Sequence, residues 1–188
     1  MKKIFLMALA LIMSVWVFGQ QLPYVQLPDC PPAYSAGTVA ARMIDGLGFR
    51  YYWATDGLRE QDLSFRPGED ARSAEETVDH ILELSYVVVN ATLKQPNEGA
   101  DLSVLFEAKR KQTLINLKMA ADILRSATDE EMVGFEIDFG KSNYPFWYTI
   151  NGPIADALWH CGQIVSFRRS SGNPFNSKVS VFQGKLRE

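Results

Sequence analysis

Apolar residues recur at Ala40, Met43, Ile44, Leu47, Tyr51, Ala54 and Leu58 with the three- and four-residue spacing of one helix face. That period predicts a first helix of about five to six turns opening at Ser35. Pro67 and Gly68 mark a loop. The second helix is expected to open at Ser73-Ala74-Glu75-Glu76 and run to about Leu93, because the serine hydroxyl and Glu76 can satisfy each other's free backbone donors. After Pro96-Asn97-Glu98-Gly99 a third helix is predicted from about Leu102 to Ser126, with Glu107 and Lys111 paired on a solvated face. Between 132 and 148 the period changes to two: Val133, Phe135, Ile137 and Phe139 alternate with Gly134, Glu136, Asp138 and Gly140, which predicts a small hairpin. Gly152-Pro153 is expected to start the last helix, Gly172-Asn173-Pro174 to end it, and Ser177 to Glu188 to form a short extended tail.

Four long helices with a hairpin before the last predict an all-α fold, a four-helix bundle occupying residues 34–188 as one domain. At 188 residues, 47% hydrophobic and 22% charged, the chain is long and apolar enough for one buried core, which excludes disorder. Residues 20–33 carry Pro23, Pro28, Pro31 and Pro32 and are expected to be an extended lead-in on the domain surface. Residues 1–19 have the pattern of a signal peptide: Lys2 and Lys3, the apolar run Ile4 to Val17, and a cleavage site near Phe18-Gly19-Gln20. The expected location is therefore extracytoplasmic, periplasmic or secreted, without a stable membrane anchor after cleavage. Removing that segment moves the net charge from −3 to −5, which disfavours nucleic acid as a partner. A small-molecule substrate is expected, and a homodimer is left open. An oxidising compartment permits a disulfide between Cys30 and Cys161 without requiring it.

The candidate chemistry lies in the last helix, where Ile154 to Phe167 contains one acid and one histidine in an otherwise apolar run, implying burial on several sides. Asp156, His160 and Gln163 are spaced i, i+4, i+7 and share one stripe. Buried polar groups need partners, so the stripe must face a hydrogen-bonded network, a wet pocket or a metal ion. His80, on the rim of the second helix's apolar arc beside Leu84 and Val87, is placed to look into the bundle, with Asp79, Glu83, Tyr86 and Asn90 on the solvent side. One carboxylate and two imidazoles form a ligand set for zinc, nickel, iron or manganese that leaves positions open. Against this stands the ordinary case of a core histidine satisfied by hydrogen bonds. Arg168 and Arg169 either contact an anionic substrate or complement the helix dipole. Cys161 should point away from the stripe, and Tyr51, Tyr52, Trp53, Phe146, Trp147 and Trp159 should be mostly core, with one or two of them left to wall a pocket.

The segment Ser73 to Ile81, the upstream Leu63-Ser64-Phe65-Arg66-Pro67 and above all His160-Cys161-Gly162-Gln163 resemble the DinB-like family of damage-inducible, metal-dependent helical bundles over roughly residues 36–172. The resemblance implies up-down-down-up connectivity and a three-histidine site, one ligand from the second helix and two from the last. His80 and His160 match two of those positions, and Asp156 stands where the family usually has the third histidine. Gln163 matches the family's glutamine, which implies orienting a ligand or water. The implied activity is a thiol-dependent transferase or isomerase, in which a metal holds a thiol cofactor as thiolate, or a hydrolase. Export favours activation of water, since low-molecular-weight thiols are scarce outside the cytosol. The rival from another class is a non-catalytic ligand- or partner-binding stress-response module that keeps the bundle.

Overall fold

A computed structural model describes residues 21–188; the leader expected over 1–19 lies outside them. The protein is mostly helical. In chain order the elements are α1 (Ala36–Thr55), the short α2 (Glu60–Leu63), α3 (Ala74–Leu93), α4 (Phe106–Ser126), the short α5 (Asp129–Val133), β1 (Glu136–Asp138), β2 (Asn143–Pro145), α6 (Trp147–Thr149), a π-turn (Ile150–Ile154), α7 (Ala155–Ser170), β3 (Val179–Ser180) and β4 (Lys185–Leu186). No helix among the described residues is long and apolar enough to cross a membrane.

The helix starts follow local chemistry. Ser35 caps α1 by accepting from the Thr38 N–H at 3.1 Å. Ser73 and Glu76 form the expected reciprocal box at the start of α3, with separations of 3.1 and 2.8 Å. Helix α4 starts later than its apolar pattern suggests, at Phe106, and has no side-chain cap. Lys94 ends α3 in the left-handed region, φ 55°.

The long helices α1, α3, α4 and α7 pack around one core, in which Ile44, Leu47, Ile81, Leu114, Leu117, Leu124, Ile154 and Ile164 are essentially inaccessible to water. Each such side chain stabilises the fold by roughly 1.5–3 kcal/mol relative to exposure. Named contacts give the helix directions. Gly37, near the start of α1, lies against the Leu124 carbonyl near the end of α4, while Arg110 at the start of α4 donates to Thr55 at the end of α1, so these two run antiparallel. Asn116 of α4 donates to Ser85 of α3 at 3.0 Å and Lys109 meets Asp79 at 2.7 Å, a parallel pairing. Arg168, late in α7, donates to the Trp53 and Ala54 carbonyls late in α1, another parallel pairing.

The hairpin is antiparallel, with Ile137 opposite Tyr144, and Ile137 packs on Val87 and Ala91 of α3. Several expectations are corrected. The tail is a second hairpin, β3 on β4, rather than a single extended strand. The lead-in is not merely superficial: Tyr24 is buried, its ring fills the space over Gly48, and its hydroxyl donates to Asp45 at 3.2 Å. Among the aromatics, Tyr51, Trp53 and Phe146 are core, but Trp147 and Trp159 are 74% and 71% exposed, which removes them from it. Cys30 and Cys161 are both free thiols, the first exposed and the second buried.

Candidate metal centre

The polypeptide before α7 sets the phase of its side chains. Helical backbone begins at Trp147, widens into the π-turn over Ile150–Ile154, and tightens again at Ala155. Pro153 has no N–H to donate, and Gly152 adopts φ −93°, ψ −105°, outside the helical region. Gly152 thus breaks the helical backbone, and α7 starts beyond this kink with its own phase. Beyond it, Ala157, His160, Cys161, Ile164 and Arg168 form the buried stripe of α7, while Trp159, Gly162 and Ser166 face outward. The helix is thus buried along one stripe, not on several sides.

Asp156 and His160 lie at the α3-facing edge of that stripe, and His80 meets them from α3. The structure brings these three expected ligands together. His80 Nε2 is 3.1 Å from Asp156 Oδ2, and His160 Nε2 is 3.3 Å from Asp156 Oδ1. The imidazoles meet edge to face, centroids 4.8 Å apart and planes at 83°. One ligand atom from each residue lies within 4.8 Å of the others, so the triad could hold a metal ion. An ion with bonds of about 2.1 Å sets neighbouring donors roughly 3.0–3.4 Å apart, and each imidazole lies that close to a different oxygen of Asp156. The side chains are 23%, 38% and 11% exposed for His80, Asp156 and His160, so the cluster opens to solvent on the carboxylate side.

The hydrogen-bond roles around His160 sharpen the picture. Its Nδ1 is 2.6 Å from the Gln163 amide oxygen, which can only accept, so Nδ1 carries the proton in that contact. In the neutral ring Nε2 is then the acceptor nitrogen, 3.3 Å from a carboxylate oxygen. Two acceptors at that distance repel unless a proton or a cation lies between them, and a cation suits all three groups together. On α3, Glu83 lies three residues after His80 with Oε2 3.7 Å from His80 Nδ1, an ion-pair distance longer than a hydrogen bond. Glu83 is exposed, as expected of a solvent-side residue, and so differs from Gln163, which is in hydrogen-bond contact with its histidine.

Other expected residues lie elsewhere. Asp79 is not on a solvated side but in the α3–α4 seam, where Lys109 is buried between it and Glu75. The anion contact expected of Arg168 is corrected by its partners. The side chain is buried, and its guanidinium donates to the Trp53, Ala54 and Asn173 carbonyls and to Asn173 Oδ1. Burial holds its pKa below the usual arginine value. It joins the ends of α1 and α7, roughly 12 Å along the axis from His160. Cys161 is core, and burial pushes its thiol up to about 12.

A second buried cluster joins the α2 loop to the end of α7. Asp62 is inaccessible to water and accepts from the Arg59 backbone and guanidinium, the Asn173 amide and the Ser171 hydroxyl. The Arg59 hydrogen bond, with those of Ser171 and Asn173, holds its pKa well below the ordinary carboxylate range despite burial. Sequence reasoning missed this residue, whose burial depends on partners more than a hundred positions away.

An apolar pocket of about 730 Å³ lies apart from the triad; Val39 and Met43 of α1, Val133 of α5, and Phe146, Trp147 and Ile150 beyond the hairpin line it. Compared with known proteins, the chain matches no family model, no curated protein and no solved structure.

Proposed function

We propose that this chain is an exported divalent-metal protein of the DinB-like kind, in which His80, Asp156 and His160 hold the ion. The observation that carries the reading is the convergence of both histidines of the chain on one carboxylate, from two helices far apart in sequence. The helix directions above support an up-down-down-up four-helix bundle, and the leader-like pattern of residues 1–19 supports export. A bound ion would act as a Lewis acid, activating a thiol or water for transfer to, or hydrolysis of, a small molecule. The protein's own part is to orient the His160 imidazole through its Nδ1 contact with Gln163, present the Asp156 carboxylate between the two rings and leave that side open to substrate.

Metal analysis of protein purified without an affinity tag tests this. About one equivalent of a divalent metal is expected, with a higher melting temperature on adding zinc, nickel or manganese to stripped protein. No bound metal and no thermal shift with any of the three would overturn it. A second reading, a non-catalytic binding module, is favoured by one observation: the apolar cavity of about 730 Å³ is built without the triad. That module would bind its ligand equally well with and without metal.

A further inference from the structure

We propose that the apolar pocket at the start of α1 holds a single-chain amphiphile with an anionic head, a fatty acid, whose carboxylate meets Arg42. This names a ligand for the cavity behind the second reading above, and it stands whether or not the triad binds metal. The pocket's volume, about 730 Å³, lies within the roughly 300–1,000 Å³ usual for small-molecule sites. Large apolar side chains of its wall are left in water: Val133 is 88% exposed and Trp147 74%. Their place around a concave apolar surface fits an apolar occupant better than packing within the chain. A second cleft, about 360 Å³, adjoins the first, since Tyr34, Val39 and Met43 line both, and Arg42 stands in its wall. Ser35, Val39 and Met43 form one stripe of α1 at four-residue spacing, with Arg42 at its edge. A hydrocarbon chain lying along Val39 and Met43 therefore brings its end beside the guanidinium.

Charge sets the head group and its orientation. Arg42 is partly buried, and its Nη1 donates to the Pro28 carbonyl at 2.7 Å. Among the described residues its Nε and Nη2 donate to no protein group, and no carboxylate lies within ion-pair distance of it. A carboxylate ligand would take up those free donors in a charge-assisted pair. The charged residue in the wall of the larger pocket, Asp129, is exposed, so water screens it. It follows Ala127, whose carbonyl lies against Gly37, and so stands near the start of α1; Arg42 is five residues further on, roughly 7.5 Å along the axis. An anionic head is thus drawn to the Arg42 end and repelled from the other, with the apolar wall left for its tail.

The test titrates the full chain by calorimetry at neutral pH with decanoate, its shorter analogue hexanoate, uncharged 1-decanol and cationic decylamine, all below micelle-forming concentrations. Decanoate should bind about tenfold or more tighter than hexanoate, because each added methylene is buried. It should also bind about fivefold or more tighter than decanol or decylamine. Arg42→Gln keeps a donor for the Pro28 carbonyl and should weaken decanoate about fivefold or more while leaving decanol within about twofold. Val39→Asp, at a half-exposed position, should weaken both about fivefold or more with the melting temperature near wild type. Zinc affinity should stay within about twofold in both variants, since neither residue touches the triad. Decylamine that binds as tightly as decanoate, hexanoate that equals it, or Arg42→Gln without effect overturns the fatty-acid assignment and leaves the cavity to another ligand. Failure of all four probes overturns it together with the second reading, while the metal reading stands on its own zinc titration. Probe binding lost as protein concentration rises, with a dimer in light scattering, would give the groove to a second copy of the chain and overturn the proposal as well.

Discussion

Gln163 holds His160 from one turn further along the same helix, its amide oxygen 2.6 Å from Nδ1. That contact fixes which nitrogen of the ring faces Asp156, so the glutamine acts on any bound ion through the imidazole. Gln163→Ala should lower zinc affinity about 10- to 100-fold with helical circular dichroism unchanged, read by competition with a chelating dye. Equal affinity in the two proteins would remove the orienting role.

The triad itself predicts a sharper loss. His80→Ala and His160→Ala should each reduce metal occupancy to below about a tenth of the wild-type value, since each removes one of the three proposed ligands. Elemental analysis of the purified variants checks this, and full occupancy in both refutes the assignment.

Arg168 separates structure from site. Arg168→Lys keeps the charge but cannot reproduce a fork shared among three carbonyls, so unfolding in urea should show a loss of about 2–4 kcal/mol. Zinc affinity should stay within about twofold, because the residue stands two turns from His160. A large loss of zinc affinity in a stable variant would return Arg168 to the site.

Asp62 gives a pH dependence with a definite sign. Its folded pKa is lowered, so its contribution is present above the unfolded carboxylate value near about 3.9 and is lost as pH falls below it toward the folded value. The wild-type melting temperature should therefore drop on acidification below about pH 5, and Asp62→Asn should be less stable at neutral pH with a flatter acid limb. Parallel acid profiles would show that Asp62 is not the group responsible.

The two thiols should differ in reactivity. Cys30 is exposed, whereas burial pushes the Cys161 thiol up to about 12. A disulfide-exchange reagent at pH 8 should thus titrate one thiol quickly in the folded protein and the second only in denaturant.

Helix placement was readable where the signal is local. Ser73 and Glu76 mark the start of α3 within four residues, and the i, i+4, i+7 spacing of Asp156, His160 and Gln163 places them on one edge of α7. Features set by distant partners were not readable. Arg168 looks like any cation near a helix end until the carbonyls of Trp53 and Ala54, more than a hundred residues earlier, are brought beside it. Trp159 looks like core in a mostly apolar run because hydrophobicity does not say how many sides of a helix are covered. The kink at Gly152-Pro153 was legible as a helix start, but the short helical turn before it, Trp147–Thr149, was not.

Near the start of the described chain, the Leu27 N–H donates to the Gly184 carbonyl at 2.8 Å, and the Leu27 side chain sits where a Cβ on residue 184 would be. The segment around Leu27 and the closing hairpin are thereby clasped, bringing the first and last parts of the described chain together. A short tether could join them into a ring, with new ends cut in the exposed stretch before α4, and the helices would keep their neighbours under this reordering of the chain.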